Sequence, residues 1–587
     1  MARLTINGAY SKGFAGGYNH IMTPPAYSNY LRNCRIENNA TIMRDWSRVH
    51  SGMWESWVFL KMKATEKNLY ALIWEGNNTG LYRFLPTGKK RIGTIWTLTS
   101  ADPSDLDIVA VWELLIILSR GNTPYWYTPE QWLNQFDRSQ LPSKDWWSYP
   151  DGSFTASMGV FYSWFVFLNE VVDTTKKTNR IILSHEINLD RNREYWQKNA
   201  TTFSQRKDAD NLNIPYKIIC PSTVQAMVAT QQNLYIFCSD SVQYLDKELL
   251  MEYARSKTLR TLPMATGHQL MSKNMCVGAG NFVFFMSKDK HIRTIGYTTG
   301  IYDPQVWDIT DTEFGIQRWI DDNIADDQTD AFAFFNKKDS TVEFHLKSKK
   351  WVRNDTVLIR DLQHKTWLID SWREYNAMEN CQWEWTATNG QWEERSGVTN
   401  VVAGWVDGKF YYQTKDKYDT TTDDDKIVFK PIKFEHNTVN MAMWEIAQWK
   451  LYQWVRLSGA INVHTGNTDK PYQWVIALFE INVFVDGKQV CNKKVNWQQI
   501  YDDYKKQQIE VGWNAIPPYD PNNRNIVLMY DNLLFPFDIV LDQSMVRRKG
   551  KRIRVQVKSE CPWSDLYLSW LAIDAVAIWN FDLSDKY

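Results

Sequence analysis

Short apolar runs punctuated by polar stops recur along this chain. They read Asn68-Leu69-Tyr70-Ala71-Leu72, Glu113-Leu114-Leu115-Ile116-Ile117-Leu118 and Trp164-Phe165-Val166-Phe167-Leu168, then Asn233-Leu234-Tyr235-Ile236-Phe237, Asn281-Phe282-Val283-Phe284-Phe285, Thr341-Val342-Glu343-Phe344-His345 and Lys409-Phe410-Tyr411-Tyr412. Most follow a polar or glycine-containing turn and end at a polar stop such as Ser119-Arg120-Gly121 or Ser287-Lys288-Asp289. Aligned on Leu69, Leu114, Phe165, Leu234, Phe282, Val342 and Phe410, they are spaced by 45, 51, 69, 48, 60 and 68 residues. Propeller blades recur about every 40–50 residues, with insertions lengthening some. A blade strand near a propeller's central channel is buried on both faces, which would account for a near-continuous apolar run. The pattern predicts an all-β chain: a six- or seven-bladed β-propeller over about residues 56–416, with an N-terminal extended arm and a C-terminal β-sandwich.

The flanks differ from the repeat. Residues 1–55 are expected to form an arm and a hairpin. Gly13, Gly16, Gly17, Pro24 and Pro25 break regular structure, while Phe14, Tyr18, Ile21, Met22, Tyr27 and Tyr30 require a surface to cover them. Leu31–Ile36 and Ala40–Arg44 read as a hairpin around Glu37-Asn38-Asn39. Polar insertions are expected at 173–180, 188–213 and 302–330. The acidic stretch Lys415–Lys426 reads as a linker; its aspartates are more simply solvated than cation-bound. Residues 427–587 read as the sandwich. Predicted strands are Trp474–Leu478, Ile481–Val485, Ile526–Tyr530, Arg552–Val557 and Leu566–Trp570, with a hairpin turn at Asp486-Gly487. Strict alternation places Ile553, Val555 and Val557 on one face of their strand. Helical patterning is confined to Lys247–Lys257 and Val495–Gln508.

Composition narrows the chemistry. The 587 residues carry 67 Lys plus Arg against 67 Asp plus Glu, so no general basic field draws in nucleic acid and any such contact must be local. The 30 Trp, 29 Tyr and 26 Phe suit strands and extensive protein–protein contact. Seven cysteines, Cys34, Cys220, Cys238, Cys276, Cys381, Cys491 and Cys561, include no CxxC pair. That pattern argues against a disulfide framework and a zinc site, and for reduced thiols assembled in a cytoplasm. No signal peptide and no membrane-spanning run is legible.

Catalytic signatures are absent: no GxGxxG, P-loop, GxSxG or HExxH occurs. His345 reads as packed within a strand. The carboxylate pairs Glu393-Glu394 and Asp321-Asp322 fall in polar segments and read as solvated, so neither an enzyme nor a cofactor or metal is expected. One basic cluster stands out, Arg547, Arg548, Lys549, Lys551 and Arg552, as a contact for channel DNA, for an acidic neighbouring subunit, or as a solvated turn. The neighbouring subunit is the favoured partner. Lys347-Ser348-Lys349-Lys350 is a weaker cluster of the same kind.

The opening Gly16-Gly17-Tyr18-Asn19, Pro24-Pro25, Leu31-Arg32-Asn33-Cys34-Arg35-Ile36-Glu37-Asn38 and Met43-Arg44 resembles the start of tail proteins of short-tailed bacteriophages. Asn233–Leu245, Val277–Ile295 and Val357–Trp367 resemble successive blades of the same chains, the tail nozzle or packaged-DNA stabilisation (tail tube tip) proteins. The turn Arg44-Asp45-Trp46 departs from the family's Lys/Arg-Pro-Gly. The resemblance, over about residues 13–415, implies a structural virion protein assembled in the host cytoplasm. It would form a homohexameric ring that extends or closes the DNA channel below portal and adaptor. Its partners would be adaptor, fibre or spike proteins and, non-specifically, genomic DNA. The competing readings are a receptor- or carbohydrate-binding propeller on a virion and, less favoured, a glycan hydrolase with two facing carboxylates.

Overall fold

The computed structural model describes most of residues 28–49, 58–135, 156–184, 217–250, 261–310, 316–386, 400–442, 449–463, 477–510 and 533–578, together with 3–7 and short strands at 206–207, 213–214 and 391–394. Seven four-stranded antiparallel sheets follow one another along the chain. Their first strands are Val58–Ala64, Leu106–Val111, Ala156–Tyr162, Val224–Ala229, Cys276–Ala279, Phe332–Asn336 and Tyr375–Cys381. Each of these packs against the first strand of the next sheet, and Tyr375–Cys381 packs back on Val58–Ala64. The circuit therefore closes, and all seven strands line one central cavity. This is β-propeller architecture, in which a closed ring leaves no sheet face open.

The apolar runs lie near the channel as expected, one strand out from it in six of the seven sheets. Leu69–Trp74, Leu114–Ser119, Phe165–Val171, Asn233–Cys238, Phe282–Met286 and Thr341–Lys347 are each the second strand of a sheet. Leu114–Ser119 and Asn233–Cys238 are buried at every position, whereas the channel-lining Val224–Ala229 alternates buried and half-buried. A second strand has a strand on either side and a neighbouring sheet on each face. A first strand keeps one edge toward the channel. In the seventh sheet Phe410–Thr414 is third, and Asn400–Trp405, with Val401, Val402 and Ala403, holds the second place. The polar residue opening several runs is a connector. Glu113 accepts from the Thr65 hydroxyl (3.2 Å), the Lys67 backbone N–H (3.0 Å) and the Asn68 amide (2.8 Å), joining the hairpin turns of the first two sheets.

The division expected at residue 55 is crossed by the chain. Trp46–Val49 is the outermost strand of the seventh sheet, in register Tyr411↔Val49 to Thr414↔Trp46. Four residues carry too little alternation to be read as a strand alone, yet they pair an edge that would otherwise stay open. The described N-terminal segments lie along the body of their own chain, one of the two surfaces expected to cover them. Arg3–Asn7 and Ala40–Met43 pair with Ser564–Ala577, and Ser28–Arg32 pairs with Phe434–Thr438. The expected hairpin is present, in register Cys34↔Met43 to Glu37↔Ala40, but Leu31 belongs to the preceding strand.

Two further sheets gather these segments with the C-terminal part. One contains Lys450–Val463 and Ser564–Ala577, paired along their whole lengths, with Phe535–Leu541 at its edge. The other has the order Ser28–Arg32, Phe434–Thr438, Ile553–Ser559, Ala477–Val485, Lys488–Asn496. Ile553, Val555 and Val557 are fully buried, as their alternation required. Asp486 (φ 49°) and Gly487 (φ 79°) make the expected tight turn, whose left-handed conformation glycine adopts without strain. Ala477 and Leu478 run on into Ile481–Val485 as a single strand, because Phe479 and Glu480 continue the pairing, while 474–476 lie outside the described residues. Ile526–Tyr530 lies outside the described residues. One buried core runs without a break from the sixth propeller sheet (Phe344, Val357, Leu368) into both sheets (Leu31, Phe434, Tyr452, Ile553, Leu571).

The insertions hold more structure than their polarity suggested. The segment 302–330 contains the fourth strand of the fifth sheet, Gln305–Asp308, and helix α1, Gln317–Asn323, anchored by the buried Ile320. The supposed linker 415–426 contributes to a two-stranded hairpin, Asp419–Asp423 with Lys426–Lys430. Helix α2 spans Trp497–Glu510, close to the expected segment, and a short α3, Gln543–Val546, is capped by the Asp542 side chain. Of Lys247–Lys257, residues 247–250 are helical and the rest lies outside the described residues.

Candidate functional site

The central cavity encloses about 360 Å³. That is within the usual range of small-molecule sites, ~300–1,000 Å³, and far too small for a DNA duplex, whose major groove alone is ~12 Å wide. Its polar groups are largely engaged in fastening the ring. Lys273 sits just before the fifth sheet, and its ammonium reaches across to the carbonyls of Leu106 (3.1 Å) and Ser157 (2.6 Å), which belong to the second and third sheets. Lys61 donates to the Asn274 side chain at 2.7 Å, and the Asn274 carbonyl accepts from Ala333 N–H at 2.8 Å. Asp107 accepts from the Gly159 N–H at 3.1 Å. Glu379 has Lys63 at 3.8 Å; burial pushes its carboxyl up, and the lysine pulls it back. The segment 272–275 thus ties together sheets on opposite sides of the cavity.

A second cluster holds the N-terminal hairpin to the sixth sheet. Arg35 forms a two-pronged ion pair with Asp370 at 3.0 and 2.8 Å. Arg44 and Arg373 approach the same carboxylate at 4.0 and 3.2 Å, and Arg373 also lies 3.8 Å from Glu343. Asp370 and Glu343 are fully buried. Burial alone would raise both carboxyls. The guanidiniums of Arg35 and Arg373 outweigh it at Asp370 and hold that group well below the carboxylate range; His345 and Arg373 bring Glu343 down to about 2. Asn33 completes the joint: its side-chain carbonyl accepts from Ser371 N–H at 3.1 Å and its amide donates to the Lys433 carbonyl at 2.8 Å. Asn33, Arg35 and Arg44 stand in the sequence as motif residues with nothing beside them to mark a common partner. Asp370, after the strand Thr366–Ser371 had begun, carried no signal of its own.

The basic cluster lies at an edge of the larger C-terminal sheet. Arg548–Gly550 pairs with Lys450–Tyr452, and Arg547 follows α3. The Arg547, Arg548 and Lys549 side chains are exposed, and Lys551 and Arg552 are half-exposed. Lys549 and Lys551 each place their ammonium 5.4 Å from the Trp449 ring centre, a cation–π distance. The Asp486 carboxylate is used by the backbone N–H groups of Lys551 and Arg552. Among the described residues, none of the five side chains forms an ion pair. An open hollow borders Trp449, Leu451, Arg547, Arg548 and Lys549. The structure thus brings the five cations together, adds Trp449 to them, and leaves their charge uncompensated within the described chain.

The remaining candidates are dispersed. His345 is fully buried, stacked on Phe332 with ring centres 4.5 Å apart, and burial lowers its pKa. Asp321 and Asp322 lie on α1 and not in a loop, with Arg318 at 3.7 Å from Asp322. Glu393 and Glu394 are in the strand Gln391–Glu394, and their side chains lie outside the described residues. Lys347 is buried against Asp330 at 2.9 Å, so its cluster is not a free basic surface. The six described cysteines are free thiols, and Cys561 lies outside the described residues. Among the described residues no group of three His, Cys, Asp or Glu is placed to hold a metal, and no helix is long and apolar enough to cross a membrane.

No family model matches the chain, and no curated protein matches it. Among solved structures it is similar to the β-propeller domain of Cps50 (Swd1) from Myceliophteria thermophila. The likeness has 8% identity and a TM-score of 0.35, over 62% of this chain and 99% of that one.

Proposed function

We propose that the chain is a structural, non-enzymatic subunit of a short-tailed bacteriophage tail, forming a nozzle ring that extends or closes the DNA channel. In this reading the seven sheets are seven blades, the two further sheets form a sandwich carrying the N-terminal segments, and identical copies associate in a homohexamer. The observation that carries it is the convergence of Asn33, Arg35 and Arg44, residues of the nozzle-like opening motif, on the joint at Asp370. The motif thus corresponds to a structural fastening of hairpin to propeller, as a scaffold protein requires. The size of the central cavity fits the same reading, because DNA would pass along the axis of a ring and not through one subunit.

The basic edge is assigned to a neighbouring subunit or another tail protein with an acidic surface. It lies on the C-terminal sheets and not on the strands that line the propeller cavity, and among the described residues its cations form no ion pair. Negative-stain imaging of the purified protein and of the particles containing it tests the proposal. Rings, with the protein located at the tail, are expected. A chain that stays monomeric at all concentrations and is absent from particles overturns it.

A further inference from the structure

A groove of about 260 Å³ lies where the sixth propeller sheet meets the N-terminal strand Ser28–Arg32. Its shape follows from local pairing. The turn after Thr341–Lys347 bonds to the end of α1: Ser348 bridges Ile324, and Lys349 N–H donates to the Asn323 carbonyl at 2.8 Å. This brings Trp351 beside Trp319, while Tyr30 closes the groove from the N-terminal strand. Trp351 is 57% exposed, and its backbone N–H closes a turn onto the Ser348 carbonyl at 3.3 Å. A tryptophan exposed at the mouth of a groove presents an aromatic face to whatever enters it.

The rim is polar and balanced in charge. Arg32, Lys349 and Lys350 stand against Asp322, Asp355 and Glu374. Several are already committed: Arg32 donates to Ser371 at 2.6 Å, Asp355 accepts twice from Ser348, Arg353 lies 3.6 Å from Glu374, and Arg318 lies 3.7 Å from one oxygen of the exposed Asp322 carboxylate. Asn323 uses its amide N–H on the Trp319 carbonyl at 2.9 Å, leaving its side-chain oxygen to accept. The lining itself therefore brings no net formal charge to a ligand. A ligand with an apolar face and a hydroxyl-bearing edge satisfies both features, because the polarised C–H groups of a sugar ring are drawn to an aromatic face while its hydroxyls take planar carboxylate and amide partners.

We infer that this groove binds one pyranose residue of a neutral glycan, stacked on Trp351 and hydrogen-bonded by Asp322 and Asn323. The site is independent of the ring assembly proposed above and requires no hydrolysis. The test is an array of neutral and anionic oligosaccharides probed with the full-length protein, followed by calorimetric titration of the best neutral binder. Trp351→Ala is expected to weaken binding tenfold or more, Trp351→Phe to recover most of it, and Trp132→Ala, at another exposed tryptophan, to change nothing. Affinity should be unaltered by added salt. Binding of no neutral glycan, equal binding by W351A, or binding only of anionic glycans in a salt-sensitive manner would each overturn the inference.

Discussion

At Asp370 one carboxylate faces three guanidiniums in a fully buried setting, and the stability of the hairpin joint depends on its charge. Removing one partner of a buried ion pair leaves uncompensated charge and typically costs about 3–5 kcal/mol. Asp370→Asn is therefore expected to destabilise the protein by that order, read by denaturant unfolding at neutral pH. Because the Asp370 pKa is depressed on folding, its contribution is present above the unfolded value of about 3.9 and lost as pH falls below it. His436 acts in a higher window. It is fully buried, with the Ser28 hydroxyl 2.7 Å from Nε2, and burial lowers its pKa to about 3. A depressed histidine contributes stability above the unfolded pKa of about 6.5, and that contribution falls as pH drops toward the folded value. Between pH 7 and 5 the loss should be about 2 kcal/mol, at 1.36 kcal/mol per unit. His436→Gln should flatten that slope; an unchanged slope would assign it elsewhere. His436 and His345 were visible in the sequence only as isolated histidines, since desolvation is set by what surrounds them.

Among the elements, the strand Trp46–Val49 has the largest structural consequence for its length. It caps the outer edge of the seventh sheet, where unpaired backbone would invite pairing with other chains. Deleting residues 1–49 is expected to yield aggregates by light scattering. Deleting residues 1–27 keeps that strand but removes Arg3–Asn7 from Ser564–Ala577, and should aggregate less than the longer deletion while assembling less well than the full chain. Equal solubility of the two truncations would show that the closing strand is dispensable. The Asp486-Gly487 turn gives a smaller effect: Gly487 at φ 79° is a position where alanine is strained, so Gly487→Ala should cost about 1 kcal/mol or more in unfolding free energy. That turn was legible because Asp-Gly has a backbone preference of its own. Likewise Leu114–Ser119 and Asn233–Cys238 were legible as strands, because burial on both faces demands apolar residues throughout. Their rank as second and not first strands was not legible, because an apolar run records how many faces are covered and not what covers them.

For the whole molecule, the chain has zero formal net charge and yet concentrates five cations around Trp449. Changing Arg547, Arg548, Lys549, Lys551 and Arg552 together to Gln should leave folding nearly intact, since these side chains form no ion pair among the described residues. Ring assembly should fall and become less sensitive to salt, measured by sedimentation at two ionic strengths. If the contact is with DNA instead, each phosphate neutralised adds about 0.9 to the salt slope, and the variant loses that slope while still assembling. Normal assembly together with normal DNA retention would reduce the cluster to a solvated edge.

The apolar period, the polar stops and the Asp-Gly turn determined by themselves that this chain is built of strands, that most of it repeats, and that residues beyond 427 form strands of a different kind. Those properties are local: a residue's backbone preference and the number of faces it must bury are written in the residues beside it. Tertiary structure alone decided that seven sheets close into a circuit, that Trp46–Val49 completes the last of them, and that Ser28–Arg32 and the hairpin after it belong with strands more than 400 residues later. It also decided that Arg35 and Arg44 share Asp370, and that Trp319 and Trp351 line one groove. These are long-range pairings, and the partner of an edge, a charge or an aromatic ring is fixed by where the chain returns and not by its neighbours in sequence.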